Sequence, residues 1–173
     1  MVIEPKVFGD ARGFFMESWN LHKYQDAGIR VPFVQDNISV SRRGALRGLH
    51  FQNPHPQGKL VSVLQGEVLD VVVDLRLRSA SFGKWEAVQL SSENKRQFYI
   101  PPGFAHGFLV LSDTAMFHYK CTEFYSFKDE MTLRWNDPEL AIRWPIENPI
   151  VSEKDAKGML LKDVPRDRLF DLS

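Results

Sequence analysis

The run Glu67-Val68-Leu69-Asp70-Val71-Val72-Val73-Asp74-Leu75 constrains this chain more than any other stretch. Its four valines disfavour a helix, because a branched Cβ crowds the preceding turn yet packs well on a pleated surface. Extended, it places Leu69, Val71, Val73 and Leu75 on one face and Val68, Asp70, Val72 and Asp74 on the other. One face is wholly apolar and demands a core; the other carries two carboxylates. Leu60–Leu64, another run with strand character, precedes it across the turn signal Gln65-Gly66.

The rest of the chain is chopped in the same way. Gly9-Asp10, Arg43-Gly44, Pro54-His55-Pro56-Gln57-Gly58, Ser91–Asn94, Pro101-Pro102-Gly103 and Asn136-Asp137-Pro138 are turn signals. Between them Trp85–Leu90, Gln97–Ile100, Phe108–Leu111 and Ala115–Thr122 read as strands. Helical patterns are confined to Asn20–Ala27 and Ser152–Leu161, the latter with Ser152 as N-cap. No repeat and no domain boundary is visible. We therefore expect one all-β sandwich or barrel over residues 1–173, with the tail after about residue 157 peripheral.

Composition then narrows the function. Twenty-two Lys and Arg balance twenty-two Asp and Glu, so the basic excess that phosphate backbones demand is missing. A single cysteine, Cys121, excludes an intramolecular disulfide framework and any multi-cysteine zinc site. The start of the chain shows no secretory pattern, and no apolar run approaches the roughly 20 residues that span a bilayer. A cytoplasmic protein is expected. Thirteen Phe, four Trp and four Tyr in a neutral chain suit a small-molecule site or a protein interface.

Leu46-Arg47-Gly48-Leu49-His50-Phe51-Gln52 is the segment richest in chemistry. In a regular strand Arg47 and His50 face opposite ways. A bulge at Gly48 would turn both toward one cavity. A lone histidine is more often structural, but an imidazole near a cation is equipped as a base that makes a stabilised anion. Pro101-Pro102-Gly103 leads into a second histidine, His106, which we read as presented by a tight loop. No close His-x-His pair exists, so no metal site is expected. Gln35, Asn37 and Ser39 share one face of an extended run and could line a polar pocket. Arg12, Phe15 and Glu17 combine a cation, a ring and a carboxylate within six residues. Phosphate-loop and nucleophile-elbow motifs are absent. Residue types alone stop at a β domain with a polar, cation-lined cavity.

Taken in order, these motifs resemble the dTDP-4-dehydrorhamnose 3,5-epimerase family. The likeness runs from Glu4-Pro5-Lys6-Val7-Phe8-Gly9-Asp10 and Arg12-Gly13-Phe14-Phe15 through Leu46–Gln52 and Gln57-Gly58-Lys59. It continues over Gly66–Val71, Phe104-Ala105-His106-Gly107-Phe108, Trp135-Asn136-Asp137-Pro138 and Ser152-Glu153-Lys154-Asp155-Ala156. The resemblance implies a cupin-like jelly-roll barrel that works as a homodimer without a metal or other cofactor, on a dTDP-linked 4-keto-6-deoxyhexose. It implies that His50 is the base, oriented by Asp155, that Tyr119 returns a proton from the opposite face, and that Lys59 lies near the enolate oxygen. Arg12 and Arg47 then match diphosphate contacts, with Gln35, Asn37 and Ser39 nearby. Phe15 and Glu17 match positions near the nucleoside contributed across the dimer. Tyr125 matches an aromatic that stacks on thymine, and His106 a sugar contact.

On chemical grounds Asp70 should face the cavity and pair with Lys59. Departures from the family pattern also set expectations. The run before Glu4-Pro5 is about one strand short, which would thin the dimer contacts. Pro54-His55-Pro56 is one residue short, which would shift Lys59. Phe124 stands where a tyrosine is common. Members that invert only C3 or only C5 share His50, Asp155 and Tyr119, so these motifs leave single epimerisation open. A silent nucleotide-sugar-binding barrel is the remaining alternative.

Overall fold

The computed structural model describes residues 1–172. Its strands are β1 (Val2–Ile3), β2 (Val7–Asp10), β3 (Gly13–Met16), β4 (Gln35–Arg42), β5 (Leu46–Gln52) and β6 (Lys59–Gln65). They continue with β7 (Glu67–Asp74), β8 (Trp85–Ser91), β9 (Gln97–Ile100), β10 (Phe104–Val110), β11 (Thr114–Cys121) and β12 (Glu130–Thr132). Two five-stranded antiparallel sheets, β1-β9-β6-β11-β4 and β12-β5-β10-β7-β8, face each other as a jelly-roll. The hairpin β2–β3 pairs only with itself and stands apart.

Strand β7 shows how the sequence pattern becomes layers. Val68 and Val72 enter the core between the sheets, with Val61, Phe98, Phe108 and Phe117. Leu69, Val71, Val73 and Leu75 enter a second core on the outer face of the same sheet. The carboxylate-bearing face thus points between the sheets, toward the cavity. Both faces are covered, which is why Asp70 and Asp74 are buried. The stretch after Lys157 adds Val164 and Phe170 to the second core.

Helix α1 (Leu21–Asp26) falls where its pattern predicts, with the Asn20 side chain accepting from Lys23 N–H as its cap. The second helix is much shorter than the sequence predicts. Helix α2 spans only Glu153–Ala156. A Cβ on Gly158 would sit 2.8 Å from Arg134 N, and Met159 N–H donates to Thr132 O. Sheet-edge pairing captures the chain there and overrides helical propensity. Among the described residues no helix is long and apolar enough to cross a membrane.

Candidate active site

The cavity lies between the two sheets, and the ends of β4, β5, β6 and β11 supply its walls. Between the pairings His106–His50 and Phe108–Arg47, one residue of β10 (Gly107) faces two of β5 (Gly48 and Leu49). That is a bulge, centred on Gly48. Gly48 has φ 122°, and a Cβ there would lie 2.6 Å from Gly107 Cα, so both backbone conformation and close strand approach require glycine. The extra residue turns Arg47 and His50 to the same side, as expected from the sequence. Both line an inner cavity of about 120 Å³ with Lys59, His106 and Tyr119. An outer cavity of about 370 Å³ shares His50, Lys59 and Tyr119 with it and opens past Tyr125 and Glu130.

His50 and Tyr119 stand on opposite walls, one on each sheet. Behind His50, the α2 turn presents Asp155, whose Oδ1 lies 2.6 Å from Nε2. Asp155 is buried, and its N–H donates to the Ser152 hydroxyl. Burial pushes its carboxyl up, but the bond and charge of His50, aided by Gly48 N–H, outweigh this and hold it below the usual carboxylate range. The pair therefore keeps a carboxylate behind the imidazole. With Nε2–H donated to that carboxylate, Nδ1 is the nitrogen left to act as a base. Tyr119 is shifted the other way: burial, helped by the nearby Cys121 and Glu130, raises it despite the Arg47 charge. A phenol that stays protonated is a reserve acid.

Lys59 is half-buried on the cavity wall, and its desolvation lowers its ammonium, while the charges of Cys121, Asp70 and Glu130 act against that shift. Asp70 does not pair with it as expected. Its Oδ2 lies 2.8 Å from His106 Nε2, and its Oδ1 has no partner among the described residues. Register explains this. Asp70 pairs with Phe108 across β7–β10, so His106 is its diagonal neighbour on the same face. Burial raises Asp70 and lowers His106, each opposed by the other's charge. His106 itself sits within strand β10 rather than in a loop, because Pro101-Pro102-Gly103 makes the turn and Phe104 already pairs with Asp74.

Along β4 the predicted polar face is real: Gln35, Asn37 and Ser39 point inward. Gln35 donates to Asn37 Oδ1 and accepts from Tyr125 N–H, which fixes the aromatic at the mouth. Arg47 donates from Nε to Ser41 Oγ at 2.9 Å. Arg12, Phe15 and Glu17 are not brought to this cavity within one chain. Arg12 and Phe15 lie on the detached hairpin, Arg12 bonded to Asp10, and Glu17 pairs with Lys23.

Two charged lining residues, Glu130 and Lys154, are ones to which the sequence assigns no role. Glu130, on the three-residue β12, accepts from Tyr125 Oη and from Lys154 Nζ, each at 2.9 Å. Lys154 directly precedes Asp155, so its place in that motif was a usable signal. Glu130 had none. Among the described residues, no three His, Cys, Asp or Glu side chains group as metal ligands.

A carboxylate-backed imidazole, a phenol on the facing wall and a lysine lining the same cavity equip this jelly-roll for acid–base chemistry at carbon. The chain belongs to the dTDP-4-dehydrorhamnose 3,5-epimerase family, whose profile matches residues 1–163. It is 55% identical over 165 residues to the dTDP-4-dehydrorhamnose 3,5-epimerase of Shigella flexneri, covering 94% of this chain and 91% of that one. Its fold is similar, at TM-score 0.97 and 53% identity, to dTDP-6-deoxy-D-glucose-3,5-epimerase from Legionella pneumophila in complex with dTDP-4-keto-L-rhamnose. That likeness covers 99% of this chain and 93% of the Legionella chain. A 3'-monoepimerase from Streptomyces bikiniensis, in complex with dTDP-quinovose, aligns at TM-score 0.88 and 36% identity over 93% of this chain and 83% of its own.

Proposed function

We propose that this enzyme inverts C3 and C5 of a dTDP-linked 4-keto-6-deoxyhexose, in the cytoplasm, where its one free cysteine stays reduced. The observation that carries this reading is that His50, backed by Asp155, and Tyr119 line one cavity from facing walls. A C–H beside a ketone is weakly acidic. His50 takes that proton, the C–H electron pair becomes the C4 enolate, and the Lys59 ammonium faces the resulting oxygen charge. Tyr119 then delivers its phenolic proton to the other face of the carbon, which inverts it. Solvent at the cavity mouth exchanges the proton now on His50 and replaces the one lost by Tyr119. Two groups on one wall would only return the proton to its starting side.

Arg47, aimed by Ser41, holds the diphosphate, and Tyr125 stacks on the base. The protein works as a homodimer in which the hairpin β2–β3 of one copy completes the other's cavity. Support comes from the hairpin's detachment and from Phe8, Phe14 and Phe15, all exposed in the single chain. Ile38, Val40 and Leu64 add an exposed apolar patch on the outer face of the first sheet, which a second copy would cover.

The test is incubation with dTDP-4-keto-6-deoxyglucose in deuterated water, read by product NMR. Label at C3 and C5 with both centres inverted is expected. Label at one carbon makes it a monoepimerase, and no label leaves a silent binder.

A further inference from the structure

The inner wall of the first sheet is a ruler. Across β4, β11 and β6 the register sets four successive rows: Gln35–Cys121–Lys59, Asn37–Tyr119–Val61, Ser39–Phe117–Val63, and Ser41–Ala115. Rows are two residues apart, about 6.6 Å. Lys59 therefore marks the first row, Tyr119 the second, and Arg47, through its bond to Ser41, the fourth.

Apart from Lys59 and Tyr119, the polar groups of these rows are committed except one. Gln35 bonds Asn37 and Tyr125, Asn37 bonds Cys121, and Ser41 holds Arg47. Ser39 lines the inner cavity in the third row, and its Oγ is buried with no partner among the described residues. A buried hydroxyl without a partner is costly, so the site is poised for a ligand atom that answers it.

The ring orientation follows from the proposed function, on which this inference rests. In a pyranose C1 and C4 lie opposite one another. With the C4 oxygen at Lys59 and the C1 diphosphate at Arg47, the ring lies along the ruler beside Tyr119. The third row then faces the atoms next to C1, namely the ring oxygen and C2. The C3 hydroxyl moves when C3 inverts, whereas the C2 hydroxyl keeps its configuration throughout. It is the one fixed donor and acceptor within reach of that row.

We propose that Ser39 reads the C2 hydroxyl of the sugar and makes this enzyme select 2-hydroxylated over 2-deoxy substrates. The test compares kcat/KM of the wild-type protein and Ser39→Ala on dTDP-4-keto-6-deoxyglucose and on its 2-deoxy analogue, with dTDP affinity as a control. The wild type is expected to prefer the hydroxylated sugar by about 10- to 100-fold, the range for one buried neutral hydrogen bond. Ser39→Ala should lose that factor on the hydroxylated sugar alone, bringing the two substrates within about threefold. Ser39→Thr, which keeps a hydroxyl, should retain discrimination.

Equal losses on both sugars would overturn the inference, because Ser39 would then serve the phosphate or the packing. Undiminished discrimination in Ser39→Ala would overturn it too. A wild-type protein that turns over neither sugar overturns the proposed function, and this inference with it.

Discussion

Among the described residues a histidine Nε2 is hydrogen-bonded to an aspartate twice, and the two environments differ. His50–Asp155 is tied at 2.6 Å with the imidazole side chain 26% exposed and the carboxylate 4%. His106–Asp70 is tied at 2.8 Å with both sides buried, 7% and 0%. Asp155 has Gly48 N–H and Ser152 around it, so it is held below the ordinary carboxylate range. Asp70 leaves one oxygen unanswered, and burial drives it upward. One pair therefore keeps a negative charge behind its imidazole. In the other, burial pushes both groups toward their neutral forms, the Asp70 carboxyl up and the His106 imidazole down. The same histidine partner leaves one carboxyl below its ordinary range and the other above it; the further hydrogen bonds to the carboxylate decide which.

The comparison breaks most visibly on exchange of each aspartate for its amide. Asp155→Asn should lower kcat by about 10³- to 10⁴-fold, since an amide both removes the charge and favours the wrong tautomer of His50. Asp70→Asn keeps a neutral donor toward His106 and should stay within about tenfold of wild type. Equal losses in steady-state kinetics would erase the distinction between the pairs.

Truncation reverses the ranking. Asp70→Ala strips the partner from a fully buried histidine and should cost about 3 kcal/mol of stability in urea unfolding, the upper end for an orphaned buried polar group. Asp155→Ala leaves a histidine that water reaches, and should cost about 1–3 kcal/mol.

Smaller still, and opposite in sign, are the pH slopes. Asp155 titrates lower folded than unfolded. Its stabilisation is present above the ordinary carboxylate range near pH 4 and is lost as pH falls toward its folded value. Asp70 titrates higher folded than unfolded. The folded state keeps a proton that the unfolded chain has released, so stability falls as pH rises from about 4 through its folded value. Each effect is bounded at about 1.4 kcal/mol per pH unit. Stability of Asp70→Asn relative to wild type should thus improve with rising pH, and that of Asp155→Asn should improve with falling pH, both read from unfolding midpoints.

Much of this was legible before any coordinates. The strands followed from β-branched alternation bounded by turns, and Gly48 announced the bulge that aims Arg47 and His50 together. Asp155 was placed behind His50 only by resemblance, because nothing local to either residue links positions 105 apart. Asp70 was assigned the wrong partner for a related reason. Its neighbour is set by the β7–β10 register, which a sequence does not display. Glu130 was invisible because a three-residue strand has no periodicity to read. Helix α2 ended early because Met159 is recruited to β12, a tertiary event that caps and propensities do not encode.

The central claim is that His50 and Tyr119 serve opposite faces of one sugar, and Tyr119→Phe tests it most directly. In deuterated water this variant should exchange label into unreacted dTDP-4-keto-6-deoxyglucose with retained configuration, while inverted product falls by about 10²- to 10⁴-fold. Inverted product at the wild-type rate would contradict it.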